Sequence, residues 1–146
     1  MKTSIPVACL LALSLVVIVQ AIGESTAQCN TVFKKATKKR FCDATRYETI
    51  LGVDMIRMLD CVLKAVKVVD QTGMADYRKL YDPMKRIRPD RKHDYNLESC
   101  MGRSHNLLPT TKRPHDFYKC MMESDSKEAF KKVLNEKICQ KWFPQV

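Results

Sequence analysis

The amino-acid sequence predicts an all-α fold of five to seven helices, and three observations predict it. Apolar residues recur at spacings of three and four almost throughout the chain, the period of a helix with one buried face. The strict alternation of a half-buried strand is absent. Beyond an apolar leader the chain carries six cysteines and no repeat, low-complexity tract or linker, which reads as one compact, cross-linked domain.

The leader comes first. Met1 and Lys2 give a positive start, an apolar stretch runs from Ile5 to Ile22, and small residues cluster at Ala21, Gly23, Ser25 and Ala27. That order is the order of a secretory signal peptide. Cleavage after Gly23 or after Ala27 suits it. With Ala27 as the boundary, residues 1–27 are leader and 28–146 form a single domain. No later stretch is apolar enough to span a bilayer.

The helices follow in order. Asn30 is placed to cap a first helix that turns Cys29, Phe33 and Ala36 inward and Lys34, Lys35, Lys38 and Lys39 outward. The strongest pattern covers 54–69. There Arg57, Asp60, Lys64 and Lys67 make one polar stripe on an otherwise apolar cylinder, the signature of a central helix. Asp54 is its expected cap, Gly73 its expected end, and Asp60 and Lys64 its expected ion pair. A short helix over 75–81 should stop before Pro83, and 87–91 should be loop. Further helices are expected over 94–105 and from Thr110 or Thr111 through Met122. Asp125 with Glu128 resembles a capping box for a last helix that buries Phe130, Val133, Leu134, Ile138 and Trp142 and stops at Pro144.

Cysteine and charge bound the chemistry. Cys9 falls in the leader, and the other six are Cys29, Cys42, Cys61, Cys100, Cys120 and Cys139. An even number in a small secreted chain reads as three disulfides, whose pairing the sequence alone leaves open. The formal net charge is +10. Cleavage removes one cation, Lys2, and one anion, Glu24, and leaves it unchanged. Basic residues cluster at Lys34-Lys35, Lys38-Lys39-Arg40, Lys85-Arg86, Arg88, Arg91-Lys92 and Lys131-Lys132, a pattern that attracts anionic glycans, lipids or acidic protein faces. No nucleic-acid-binding motif accompanies the charge.

Nothing in the sequence argues for catalysis. His93-Asp94 and His115-Asp116 are two His-Asp neighbours, but neither follows paired cysteines, and no glycine-rich loop is present to hold calcium. Both are expected at the surface. The histidines are too scattered for a zinc site, and no nucleophile or phosphate-loop motif occurs. The expectation is no enzyme, no cofactor and no metal. Phe33, Phe41, Tyr47, Met58, Phe117, Tyr118, Met121, Met122, Phe130 and Trp142 lie on the predicted inner faces. Periodicity alone does not say whether they fill a core or line a pocket.

Five segments read together carry a family resemblance: Arg46-Tyr47-Glu48, the run from Asp76 to Pro83 (D-Y-R-K-L-Y-D-P), the run from His93 to Cys100, Phe117-Tyr118-Lys119-Cys120, and Ala129-Phe130-Lys131-Lys132-Val133. In that order they resemble the short-form D-seven (D7) salivary proteins of blood-feeding mosquitoes, a branch of the odorant-binding-protein superfamily. The resemblance implies a helical fold around a ligand pocket, secretion in saliva, and action against host haemostasis or inflammation by scavenging biogenic amines. It also implies the pairings Cys29–Cys61, Cys42–Cys139 and Cys100–Cys120.

Of the amine-site positions that the family implies, Tyr118 is kept. The family's arginine, histidine, aspartate and glutamate fall on Thr45, Met58, Asn135 and Ile138. A buried ammonium needs anionic partners to offset its desolvation, so amine binding is expected to be weak or lost. The alternative is a basic interaction protein that binds anionic glycans or contact-pathway clotting proteins. In either case a monomer is expected, and the ligand is unnamed.

Overall fold

The computed structural model describes residues 26–139; the leader up to position 25, and Trp142 and Pro144, lie outside them. Over this span the chain forms six α-helices: α1 (Lys35–Asp43), α2 (Met55–Ala65), α3 (Tyr77–Ile87), α4 (Lys92–His105), α5 (Arg113–Met122) and α6 (Lys127–Ile138). Single 3₁₀ turns at Ala27–Cys29 and Thr110–Lys112 precede α1 and α5. One isolated antiparallel bridge joins Val69 to Ala75. The fold is all-α.

α2 is the central helix that its pattern predicts. Met55, Met58, Leu59, Val62 and Leu63 are buried on it. The Asp54 carboxylate caps it by accepting from the Arg57 N–H at 3.2 Å, and Lys64 pairs with Asp60 at 2.7 Å. It ends at Ala65, well before Gly73. Lys67 takes the left-handed conformation (φ 61°) that usually falls to glycine. The Lys67 N–H then bonds Lys64 O at 3.0 Å and the Val68 N–H reaches back to Leu63 O at 3.0 Å. Val68 and Leu63, both fully buried, close this Schellman turn from the apolar side. The apolar pattern past Ala65 is therefore a buried turn and not more helix. Gly73 serves elsewhere: its φ is 82°, and a Cβ there would stand 2.7 Å from Thr110 O, so the loop closes against the start of α5.

Four other expectations are corrected. α1 starts at Lys35 rather than after Asn30, because the Asn30 N–H closes the 3₁₀ turn onto Ala27 O and the Phe33 N–H bonds Cys29 O. Ala36 is consequently exposed, and Phe33 and Phe41 make the inner face. α3 runs through Pro83 to Ile87. A proline inside a helix costs about 3 kcal/mol, but Leu80 and Met84, both fully buried, contribute roughly 1.5–3 kcal/mol each on either side of it. α6 has no capping box. Ser126 stands at its cap without a side-chain cap bond, since its hydroxyl is held by His93 Nδ1 at 2.7 Å and Asn96 Nδ2 at 2.8 Å. His93 is thus 1% exposed and not a surface residue; its Nε2 lies 2.8 Å from Arg88 O.

Three disulfides staple these parts. Cys29–Cys61 ties the first 3₁₀ turn to α2, Cys100–Cys120 joins α4 to α5, and Cys42–Cys139 joins the end of α1 to the residue after α6. Tyr77 and Tyr81 stack at 5.2 Å on α3, and the Tyr77 hydroxyl donates to Asp94 on α4. Among the described residues no helix is long and apolar enough to cross a membrane.

Candidate ligand site

The end of α1 and the first turn of α6 meet α5 at an aromatic cluster centred on Tyr118. Tyr118 is 2% exposed. Its ring lies 5.6 Å from Phe41 of α1, 6.2 Å from Tyr47 of the following loop and 6.1 Å from Phe130 of α6. Burial raises the Tyr118 phenol far above its ordinary value, with Glu48 and Tyr47 adding to the shift. Tyr47 shares a 2.7 Å hydrogen bond with His115 Nε2. Burial, with Lys119 nearby, lowers the His115 pKa and favours a neutral ring. The Lys119 ammonium stands 5.3 Å from the centre of the Tyr47 ring.

The buried charge in this region belongs to Lys131. Its side chain is buried, and Nζ donates to Phe41 O at 2.6 Å, Cys42 O at 3.2 Å and Asn135 Oδ1 at 3.1 Å. It also lies 4.8 Å from the centre of the Phe41 ring. The two carbonyls belong to the last turn of α1, where the helix dipole favours a cation. Desolvation nevertheless lowers the Lys131 pKa to about 8, against the opposing pull of Asp43 and Glu48. The Asn135 amide donates to Cys42 O at 3.2 Å. No carboxylate hydrogen-bonds the Lys131 ammonium among the described residues.

The sequence-predicted positions are unevenly placed. Met58 and Ile138 are fully buried, Asn135 is half-buried beside Lys131, and Thr45 is exposed in the bend after α1. Lys131 and Lys132 form a basic pair in the sequence, but only Lys132 is exposed. The signal was present. At about 100° per residue, position 131 lies only about 20° round α6 from Ile138, inside the apolar arc.

Two cavities open elsewhere. One, of about 950 Å³, lies along α1, with Phe33, Ala36 and Cys42 on its apolar side and Lys35, Lys38 and Lys39 on its cationic side. The other, of about 570 Å³, is shallower and lies by the Val69–Ala75 turn, with Lys64, Lys67 and Lys79 around it. Neither is lined by Tyr118, Met58, Asn135 or Ile138. Among the described residues no group of three or more His, Cys, Asp or Glu side chains could hold a metal ion.

No protein-family model matches the chain. It is 41% identical to short form salivary protein D7R4 of Anopheles gambiae over 113 residues, covering 77% of this chain and 68% of that protein. It is 41% identical to D7R1 of the same mosquito, covering 86% and 74%, and 39% identical to D7R1 of Anopheles stephensi, covering 84% and 73%. Among solved structures, the crystal structure of the Anopheles gambiae D7R4–norepinephrine complex matches with a TM-score of 0.65 at 39% identity, covering 80% of each chain.

Proposed function

The chain belongs to the short-form D7 salivary proteins, and from that premise we propose that it is a binding protein rather than an enzyme, secreted in saliva to act on host haemostasis or inflammation, with its amine site disabled. A solved relative was crystallised with norepinephrine. In this chain the positions that should answer a ligand's ammonium, Asn135 and Ile138, carry no charge, and Tyr118 alone keeps its expected identity.

One observation carries the reading. The Lys131 ammonium lies 3.1 Å from Asn135 Oδ1, with no anion bonded to it. A second ammonium brought to the same place would meet a like charge that no carboxylate hydrogen-bonds, in a region of low dielectric, which is unfavourable. Calorimetric titration with norepinephrine and serotonin tests the proposal: affinity in the submicromolar range would overturn it.

A second reading is favoured by the exposed charge. With a net charge of +10 and most of its basic clusters at the surface, the protein binds anionic glycans or the contact-pathway clotting proteins that assemble on anionic surfaces. A heparin column developed with rising salt tests this reading, which fails if the protein leaves at the salt of a neutral protein.

A further inference from the structure

The geometry points to the outer face of α3 and the turn after it as the binding site for a linear sulfated polyanion, of the heparin-like glycan class. This rests on the anionic-surface reading above and gives that reading a location. α3 packs on α4 and α6 and buries Leu80 and Met84 completely, so its opposite side faces solvent. The exposed positions between Tyr77 and Ile87 are Arg78, Lys79, Asp82, Lys85 and Arg86. At about 100° per residue they fall within an arc of about 120°. Arg88 and Arg91 extend the row through an exposed turn.

The cations of this row are not ion-paired, although Lys79 Nζ donates to Lys67 O at 3.4 Å and Lys85 Nζ lies 5.9 Å from the centre of the Tyr81 ring. Among the described residues the salt bridges are Lys39–Asp43, Lys64–Asp60, Lys92–Asp125 and Arg103–Asp116, so none engages Arg78, Lys79, Lys85, Arg86, Arg88 or Arg91. Asp90, the acid within the turn, accepts the Lys92 N–H at 2.9 Å. Four of the six cations are arginines, whose planar forks pair two-pronged with oxyanions such as sulfate.

A row of this kind along a helix of about 16 Å suits an extended polymer better than a single anion. It suits a bilayer poorly, because the exposed positions of α3 include no apolar side chain to enter the acyl boundary. The competing basic face, α1, is weaker: Lys39 is paired with Asp43 at 2.8 Å, and Lys38 is half-buried.

The test compares two triple variants of the oxidised mature protein with equal loss of charge: Arg78→Ala, Lys85→Ala and Arg86→Ala on α3, against Lys34→Ala, Lys35→Ala and Arg40→Ala near α1. All six positions are exposed and alanine is a strong helix former, so both variants should fold, with circular dichroism as the check. In fluorescence titrations with heparin at several salt concentrations, the α3 variant should lose at least tenfold in affinity. Its slope of log K against log salt should fall by roughly 2, by analogy with about 0.7 per neutralised charge on a single-stranded nucleic acid. The α1 variant should stay within twofold of the wild type. An equal loss in both variants, or a larger loss from α1, overturns the location. Tighter binding to phosphatidylserine vesicles than to heparin, abolished by the α3 changes, overturns the glycan assignment. A wild type that does not bind heparin at all takes down the anionic-surface reading itself, an outcome distinct from binding that ignores α3.

Discussion

The Lys131 ammonium is bonded to the Asn135 carboxamide oxygen at 3.1 Å, one turn apart on α6, where a carboxylate would have made an ion pair. The same ammonium reaches the carbonyls of Phe41 and Cys42, so a buried cation holds the end of α1 against α6 beside the Cys42–Cys139 disulfide.

This placement gives stability a pH dependence of defined sign. The pKa of Lys131 is lowered in the folded protein to about 8, by burial, from 10.5. Between those values the unfolded chain binds more protons than the folded one, so stability should rise with pH through the window. The contribution should be of order 1–3 kcal/mol. Lys38, lowered by burial to about 8, adds a change of the same sign. Above about pH 10 the raised Tyr118 phenol acts oppositely. Urea unfolding at pH 7.5, 8.5 and 9.5 should show the rise. Lys131→Met should flatten part of it while changing stability at pH 7.5 by no more than about 1–2 kcal/mol. The carbonyls it leaves keep other donors: the Ala44 N–H for Phe41 O, and the Asn135 amide for Cys42 O. A Met variant as steep as the wild type would show that Lys131 does not titrate in this range.

The fold was legible because helix period and cap chemistry are local. The burial of Leu59, Val62 and Leu63 on α2, the Asp54 cap and the Asp60–Lys64 pair all follow from spacings of three and four. What escaped depends on partners distant in sequence. Pro83 stays helical because Leu80 and Met84 are buried against other helices. Ser126 gives up capping because His93 and Asn96, 33 and 30 positions away, reach its hydroxyl. Lys131 can be buried because carbonyls 90 and 89 positions away accept hydrogen bonds from its ammonium. The candidate site consists largely of such contacts, so its altered positions could be listed from the sequence while the cation beside them could not.

The Ser126 network should be costly to break. The Ser126 hydroxyl satisfies His93 Nδ1 and Asn96 Nδ2 in a buried setting that fastens the start of α6 to α4. Ser126→Ala leaves both nitrogens without that partner, at about 1–3 kcal/mol for each buried group left unpaired. A destabilisation of roughly 2 kcal/mol or more is expected in denaturant unfolding. A neutral result would mean that water replaces the hydroxyl.

All six cysteines of the described domain are paired, so the native protein should take up no iodoacetamide. Stoichiometric labelling would contradict this. Replacing Cys100 and Cys120 together by Ala opens a loop with a sequence separation of 20 and should cost roughly 3 kcal/mol by loop entropy. Replacing Cys42 and Cys139 opens one of 97 and should cost more, about 4–5 kcal/mol. That order, read from thermal or urea unfolding, checks the chain-entropy account, and a reversed order would place the difference in folded-state contacts instead.

The amine site should be repairable, but not by one change. Asn135→Asp puts a carboxylate beside Lys131, and its charge goes first to neutralising that ammonium. The single variant should therefore bind norepinephrine little better than the wild type. Ile138→Glu supplies the second charge, and since Ile138 is fully buried, this change alone should destabilise the protein by several kcal/mol. Together they leave one net negative charge for a ligand's ammonium. Charge-assisted hydrogen bonds contribute roughly 1.5–3 kcal/mol each, so at least a tenfold gain in affinity is expected. Norepinephrine should also raise the melting temperature of the double variant more than that of the wild type, because binding offsets the cost of the buried carboxylate. Adding Met58→His and Thr45→Arg completes the set that the family resemblance implies. Thr45 is exposed and has room for the arginine, whereas Met58 is fully buried and histidine there must find a partner. Calorimetry and thermal unfolding on the wild type, the double and the fourfold variant decide the matter. Tight binding by the wild type would mean that another carboxylate, such as Glu48 near Tyr118, answers the ligand. Failure of both variants to bind would mean that the aromatic cluster around Tyr118 is packed core and admits no ligand.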